Sequence, residues 1–490
     1  MRGDHAAGGY SVKSQIASPF GTSDRITRPI YRVAEVSRPA RSLFRRCPRP
    51  HWTIEVGPPW FDLAVFTRGS DTCKIHSCGR LKVDLFLKNA MDADTSRSVQ
   101  LSPQEVQTRA DLAEYLSKSL PGDYKAVRVA EVRQTATYVK SYVLEAHRDE
   151  GSTISRRLAS VFQEVTQLRD ETLLLAVDHK DHSYFLDLQH PRFQLMHSID
   201  ISSRTDQTFK RLTEGDVAGF DHAWMPRHFL RGTQRGQLTG FKFRYRTEIA
   251  GVEAVDRETV DSTTGEIIGG WRGKSKFRME VAEDANAVEE YASLMQLPVF
   301  QGRKALEQVQ FRSVDADQPS DYIVSGIYAY GKVVGKGTSI GGHFLTIDSV
   351  IDAYARVISR IEEDFSLGWI PESGGHVLRG DPFLFRFPDD VEIIDLDAFT
   401  ASLFNGARPF RLFGVPHSAS ERRVDVEAID LHTGDPLSIE LTPEWMRVYL
   451  PRGSCGNIVA RLFTNFQHAM SSEVELTVGD QVDPFALELS

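Results

Sequence analysis

This chain of 490 residues contains only 4 cysteines. Because a disulfide framework needs a denser set of cysteines, we expect none, which is typical of a reducing compartment. No apolar run reaches the roughly 20 residues that a membrane-spanning helix needs. The first residues also lack the continuous apolar segment of a secretory signal. The sequence therefore predicts a soluble, cytoplasmic protein that does not enter a membrane.

The chain also lacks a recognisable catalytic or cofactor motif. The segment Gly326–Gly342 matches a phosphate-binding loop in part, through Gly326, Gly331 and Lys332, but Val333 stands where a Ser or Thr must hold magnesium. Its residues alternate as they do in a strand. We predict strand structure over Tyr322–Val334 and no phosphate loop.

Length and charge limit the remaining possibilities. A chain this long exceeds what one hydrophobic core usually serves, so two or three domains are expected. A formal net charge of −9 argues against a surface that binds nucleic acid all over, although a local basic patch is compatible with it.

The first 60 residues differ from the rest of the chain in composition. Arginine and proline dominate from Arg25 to Arg49, with few acids and few periodic apolar positions. We predict a disordered basic arm over residues 1–60 that folding does not require. Three explanations stay open: a tail that binds nucleic acid or an acidic partner, an organelle transit peptide, or a start codon placed too far upstream.

The pattern of helices and strands predicts an α+β fold. We expect a small mixed N-terminal domain, a β-rich central domain, a Gly/Pro-rich linker and a C-terminal α+β domain that ends in a hairpin and a helix. These divisions cover residues 80–170, 171–367, 368–382 and 383–490.

Five local predictions follow from periodicity and end signals. Ser102 should begin a helix over Pro103–Leu120, and a second helix should run over Ile154–Leu168. Asp348 should be the N-cap of a helix over Ser349–Phe365. Alternating apolar residues predict a hairpin over residues 424–441, and Trp224 should pack inside an anchoring turn.

A cysteine and histidine group near the arm could bind a metal ion. Cys47 and His51 form one close pair and Cys73 and Cys78 another, with His76 between the second pair. Zinc prefers four such ligands in a tetrahedron, but this spacing matches no common zinc motif. We favour unconnected thiols.

Asp178, His179 and Lys180 follow an apolar strand and imitate half of a metal-dependent nuclease core. That chemistry needs a second carboxylate on a neighbouring strand. Asp170 or Glu164 would have to supply it, and both are predicted in or beside a helix. A solvated turn is the simpler interpretation.

Cys455 lies at the predicted start of the last helix. A helix N-terminus lowers the pKa of a thiol, and a nucleophile also needs a histidine, for which His432 in the hairpin turn is available. The competing interpretation, which we favour, is a small buried residue at a tight turn.

These observations favour an interaction protein without its own catalytic site, with a protein partner or a nucleic acid bound through Arg25–Arg49. A metal-dependent nuclease or hydrolase using Asp178, and a cysteine enzyme using Cys455, are the alternatives. The sequence names no cofactor.

Overall fold

Alternating apolar residues build most of this protein, because strands with one buried face need a period of two. The computed structural model describes residues 101–486, except 121–137, 147–150, 215–218, 247, 248, 250, 251, 255–258, 261–266, 269–275, 283, 285, 298–301, 315–319 and 390. All described residues belong to one compact unit of the chain. The basic arm, Arg25–Arg49 and the group of Cys47, His51, Cys73 and Cys78 lie outside the described residues.

The described helices are a 3₁₀ turn Pro103–Glu105, α1 Arg109–Ser117, α2 Gly151–Val161, α3 Ser202–Glu214, α4 Arg227–Gly232, α5 Ala287–Met295, α6 Ile340–Arg360 with a π-helical turn Ile361–Phe365, α7 Leu396–Phe404 and α8 Asn457–Ala469. The strands are β1 Val139–Glu145, β2 Glu164–Gln167, β3 Leu173–Val177, β4 Ser183–Asp187, β5 Phe193–Ser198, β6 Asp221–His222, β7 Gln237–Arg246, β8 Val252–Ala254, β9 Thr259–Val260, β10 Ile267–Ile268, β11 Lys276–Ala282, β12 Leu306–Val314, β13 Tyr322–Tyr328, β14 Lys332–Gly337, β15 Gly368–Glu372, β16 Gly375–Arg379, β17 Phe383–Arg386, β18 Val391–Ile393, β19 Leu412–Ser420, β20 Arg423–Asp430, β21 Pro436–Leu441, β22 Trp445–Tyr449, β23 Glu475–Val478 and β24 Gln481–Val482. The mixture of helices and antiparallel strands confirms the predicted α+β class.

The larger sheet has eleven strands in the order β11-β7-β12-β13-β14-β1-β5-β4-β3-β2, with β6 paired to the end of β1. Its pairings are antiparallel. The predicted boundary between residues 170 and 171 lies between β2 and β3, which are hydrogen-bonded neighbours here. The domain boundaries themselves stay predictions.

A second sheet of seven strands follows the order β19-β20-β21-β22-β17-β23-β24. The predicted hairpin is β20 and β21, with Val424 opposite Leu441 and Ala428 opposite Leu437. Gly434 in its turn has φ +79°, a conformation that glycine adopts without steric cost. The residues of the predicted linker include a separate hairpin, in which β15 pairs with β16.

Two predicted helices have the wrong boundaries. The helix predicted over Ile154–Leu168 ends at Val161, and Glu164–Gln167 is strand β2 instead. The helix predicted from Asp348 begins at residue 340, where the Ser339 hydroxyl accepts a hydrogen bond from the N–H of Gly342 at 3.0 Å. The glycines at 341 and 342 hid this start, because glycine disfavours helices in sequence-based prediction.

The helix predicted over Pro103–Leu120 consists of two separate parts, a 3₁₀ turn and helix α1. Glu105 caps the backbone N–H of Ser102 at 2.6 Å, as predicted, but it closes only a 3₁₀ turn. The α-helix begins later, where Thr108 and Asp111 cap each other. The strand predicted over Tyr322–Val334 is a hairpin of β13 and β14, so no phosphate loop forms there.

The main hydrophobic core contains residues of both sheets and of α6 and α8. Strand β1 is buried on both faces. Val143 on one face enters this core, while Tyr142 and Leu144 on the other face pack with α2 and α3 in a second core. Helix α8 is enclosed on nearly every side. Across the described residues, no helix is long and apolar enough to span a membrane.

Candidate functional site

Asp178 closes the turn between β3 and β4. Its carboxylate accepts hydrogen bonds from the backbone N–H groups of Lys180 and His182, at 2.8 and 3.1 Å. Burial acts to raise the pKa of Asp178, but these hydrogen bonds outweigh it and hold the pKa below its usual value. Asp178 thus organises the turn that contains His179.

The carboxylates named as partners for Asp178 have other contacts. Glu164 lies on strand β2, opposite Val177, rather than in a helix, which corrects the sequence prediction. Its carboxylate accepts a hydrogen bond from Thr166 at 3.1 Å. Asp170 forms an ion pair with Arg109 at 2.7 Å. Among the described residues, no metal-ligating group assembles around Asp178.

Cys455 is fully buried just before α8. Its thiol donates to Glu145 Oε1 at 3.4 Å, and Arg192 Nη2 donates to its sulfur at 3.5 Å. Burial, reinforced by the nearby Glu145, raises the pKa of the thiol well above its usual value. This is opposite to the lowering expected from the helix N-terminus, because loss of solvation outweighs the helix dipole.

Cys455 belongs to a buried ionic cluster that joins the two sheets. His432 of the hairpin turn lies 3.4 Å from Glu145, and Arg192 bonds both Glu145 and Glu362, at 2.9 and 2.7 Å. The other members are Asp221, Asp430, Asp435, Arg411, Asn457 and Arg461. No predicted site includes this cluster, although Arg461 amid the apolar residues of α8 is a signal for it.

The open surface of the same region carries a groove, which we call the basic groove. One part of it has a volume of 330 Å³ and is lined by Trp224, Arg244, Tyr330, Arg408 and His468, among others. The adjoining part, of 400 Å³, is lined by Arg157, Lys210, Arg211 and Glu214, among others. Arg408 lines both parts.

Cations outnumber acids in the basic groove. Two carboxylates lie there: Glu214 pairs with Arg408 at 2.6 Å, and Glu307 pairs with Arg244 at 3.1 Å. The cations are Arg157, Lys210, Arg211, Arg244 and Arg408. About half of the side chains of Arg244 and Arg408 remains exposed, at 53% and 49%, so both can reach a ligand.

Aromatic rings lie between these cations. Trp224 packs against the main core as predicted, but it is only half-buried, and its Nε1 donates to Asp221 Oδ1 at 3.0 Å. Tyr330 is half-buried beside it at the end of the β13–β14 hairpin. Burial lowers the pKa of His468, which favours a neutral imidazole in the groove.

The groove has no signature in the sequence. Its residues come from α2, α3, the segment around β6, β7, β12, the β13–β14 turn, the segment after α7, and α8. No spacing along the chain links them, because only the folded sheets bring these elements together.

The comparisons with known proteins concern almost the whole described part of the chain. The family described as MJECL33-like protein matches residues 101–485. The uncharacterized protein MJECL33 of Methanocaldococcus jannaschii is 25% identical over 407 residues, which cover 76% of this chain and 95% of that protein. No solved structure matches. The chain belongs to the MJECL33-like protein family.

Proposed function

We propose that this protein binds single-stranded nucleic acid along the basic groove. The observation that carries the proposal is the combination of exposed arginines with half-buried aromatic rings in two recesses that share Arg408. Nucleic-acid partners are recognised by cations that contact phosphates and by rings on which unpaired bases stack.

The charge arrangement supports a phosphate ligand. Arg244 and Arg408 are each paired with a carboxylate, and Arg211 lies 4.0 Å from Asp178. Arg157 and Lys210 are further cations of the same surface. Because the whole chain has a formal net charge of −9, the positive charge of the groove is a local feature of the surface. A polyanion is therefore attracted to the groove and repelled by much of the remaining surface.

The rings support a single strand rather than a duplex. Trp224 and Tyr330 line a recess, where a base must leave its stack to reach them. A base stacked on an aromatic side chain contributes about 1–3 kcal/mol of binding free energy, with little dependence on its identity. Binding without strict sequence preference is the expected behaviour.

Fluorescence anisotropy with labelled single-stranded DNA and RNA of mixed sequence tests the proposal. We expect the double variant Arg244→Gln/Arg408→Gln to bind at least about tenfold more weakly than the unchanged chain. The slope of log affinity against log salt should fall by about 0.7 for each lost phosphate contact.

The matched control is Arg379→Gln/Arg422→Gln. Those arginines are also exposed and ion-paired, with Glu372 and Glu444, but they lie outside the groove. Equal affinity of the groove variant and the control would contradict the proposal. Equally tight binding of polyglutamate would instead favour an acidic protein partner.

A further inference from the structure

Three side chains from distant parts of the chain meet in the buried ionic cluster. Glu145 ends β1, His432 lies in the turn between β20 and β21, and Cys455 precedes α8. All are buried, and their ligand atoms lie within 4.8 Å of one another. Glu145 Oε2 is 3.4 Å from His432 Nε2, and Glu145 Oε1 is 3.4 Å from Cys455 Sγ.

The 3.4 Å between Glu145 Oε2 and His432 Nε2 suits two ligands of one tetrahedral metal ion, and all three ligand atoms lie within 4.8 Å of one another. Zinc bonds of about 2.0–2.3 Å place neighbouring ligand atoms roughly 3.3–3.7 Å apart. Thiolate, imidazole and carboxylate are also the three ligand types that zinc accepts in proteins.

An unpartnered atom points into the same space. Among the described residues, Glu145 Oε2 has no hydrogen-bond donor, although the side chain is fully buried. Its other oxygen accepts from Arg192 Nε at 2.9 Å. A buried carboxylate oxygen without a donor is costly, and a bound cation would remove that cost.

The charge of the surroundings also favours a cation. Carboxyl groups outnumber guanidinium groups in the cluster. The carboxyl groups belong to Glu145, Asp221, Glu362, Asp430 and Asp435, and the guanidinium groups to Arg192, Arg411 and Arg461. Buried charge of one sign is stable only when it is compensated.

We propose that Glu145, His432 and Cys455 bind one zinc ion that fastens β1 of the larger sheet to the hairpin turn and α8 of the C-terminal part. Arg192 holds the second oxygen of Glu145 and orients the carboxylate, as outer hydrogen bonds do in metal sites. Because the site is enclosed, its role is structural and separate from the basic groove.

The test uses the full chain with Cys47→Ala, Cys73→Ala and Cys78→Ala, which leaves Cys455 as its single thiol. Produced with zinc, this variant should contain one zinc ion per chain by elemental analysis. Produced with cobalt, it should show a thiolate-to-cobalt charge-transfer band, which can then arise only from Cys455. Further change of Cys455→Ser or Glu145→Gln should reduce the metal content.

A folded triple-alanine variant that holds neither zinc nor cobalt would overturn the proposal. So would full metal content without the charge-transfer band, since the metal would then lie elsewhere. If the serine variant fails to fold, the spectrum of the triple-alanine variant still decides.

Discussion

Arg461 projects from α8 between two carboxylates, 2.5 Å from Asp221 at one nitrogen and bonded to Asp430 at the other. All three side chains are buried. Asp430 and Asp221 favour the charged guanidinium and, although burial opposes it, raise the pKa of Arg461 above its ordinary value. Arg461 thus occupies a core position of α8, and its positive charge compensates the buried carboxylates of Asp221 and Asp430.

Removing the positive charge of Arg461 should strongly destabilise the fold. Arg461→Met leaves Asp221 and Asp430 buried without their partner, and we expect a loss of about 3–5 kcal/mol in the free energy of unfolding. Urea denaturation measures it. Arg379→Met, which breaks an exposed pair with Glu372, should cost less than about 1 kcal/mol. Similar losses in the two variants would contradict this account of the cluster.

Tyr330 offers a different residue-scale test. If its ring stacks a base, Tyr330→Leu should weaken oligonucleotide binding by about 1–3 kcal/mol while the salt slope stays unchanged, since no phosphate contact is lost. Anisotropy titrations at several salt concentrations separate the two effects. A variant with a smaller salt slope and unchanged affinity would contradict the stacking role of Tyr330.

The stability of helix α6 depends on the residue that caps its N-terminus. Its N-cap is Ser339, whereas the sequence pointed to Asp348, which is exposed within the helix. Ser339→Ala should therefore cost about 1 kcal/mol of stability, and Asp348→Ala distinctly less. Thermal or urea unfolding of both variants checks this, and the reverse order would contradict the assigned cap.

The same helix contacts the larger sheet through a hydrogen-bonded trio. The Ser141 hydroxyl on β1 lies 2.7 Å from His197 Nδ1 on β5 and 2.9 Å from His343 Nε2 on α6. Burial lowers the pKa of His197 to about 4 and that of His343 to about 3. Both imidazoles are therefore neutral in the folded protein at neutral pH.

This trio should make stability depend on pH. Below pH 6.5 the unfolded chain protonates both histidines while the folded protein does not, so the free energy of unfolding falls as pH falls toward 4. Each histidine contributes up to about 1.4 kcal/mol per pH unit. His343→Gln should reduce the slope accordingly, whereas His417→Gln, on the exposed part of β19, serves as control. An unchanged slope in His343→Gln would contradict the account.

At the scale of the whole molecule, the sequence predicts local structure well and assembly poorly. Periodicity predicts the hairpin of β20 and β21, because each of these strands buries one face. Sequence patterns miss β2, where Val165 continues the apolar pattern of the preceding helix. They cannot reveal that Glu145, His432 and Cys455 meet, since three elements must first pack together.

The most direct test of the central claim is ultraviolet crosslinking of the full chain to a single-stranded oligonucleotide, followed by peptide mass spectrometry. The account predicts crosslinks at peptides that contain Trp224 and Tyr330, because these rings line the basic groove. Reduced crosslinking should accompany Arg244→Gln/Arg408→Gln. Crosslinks confined to the segment Arg25–Arg49, or an equal yield in the groove variant, would contradict it.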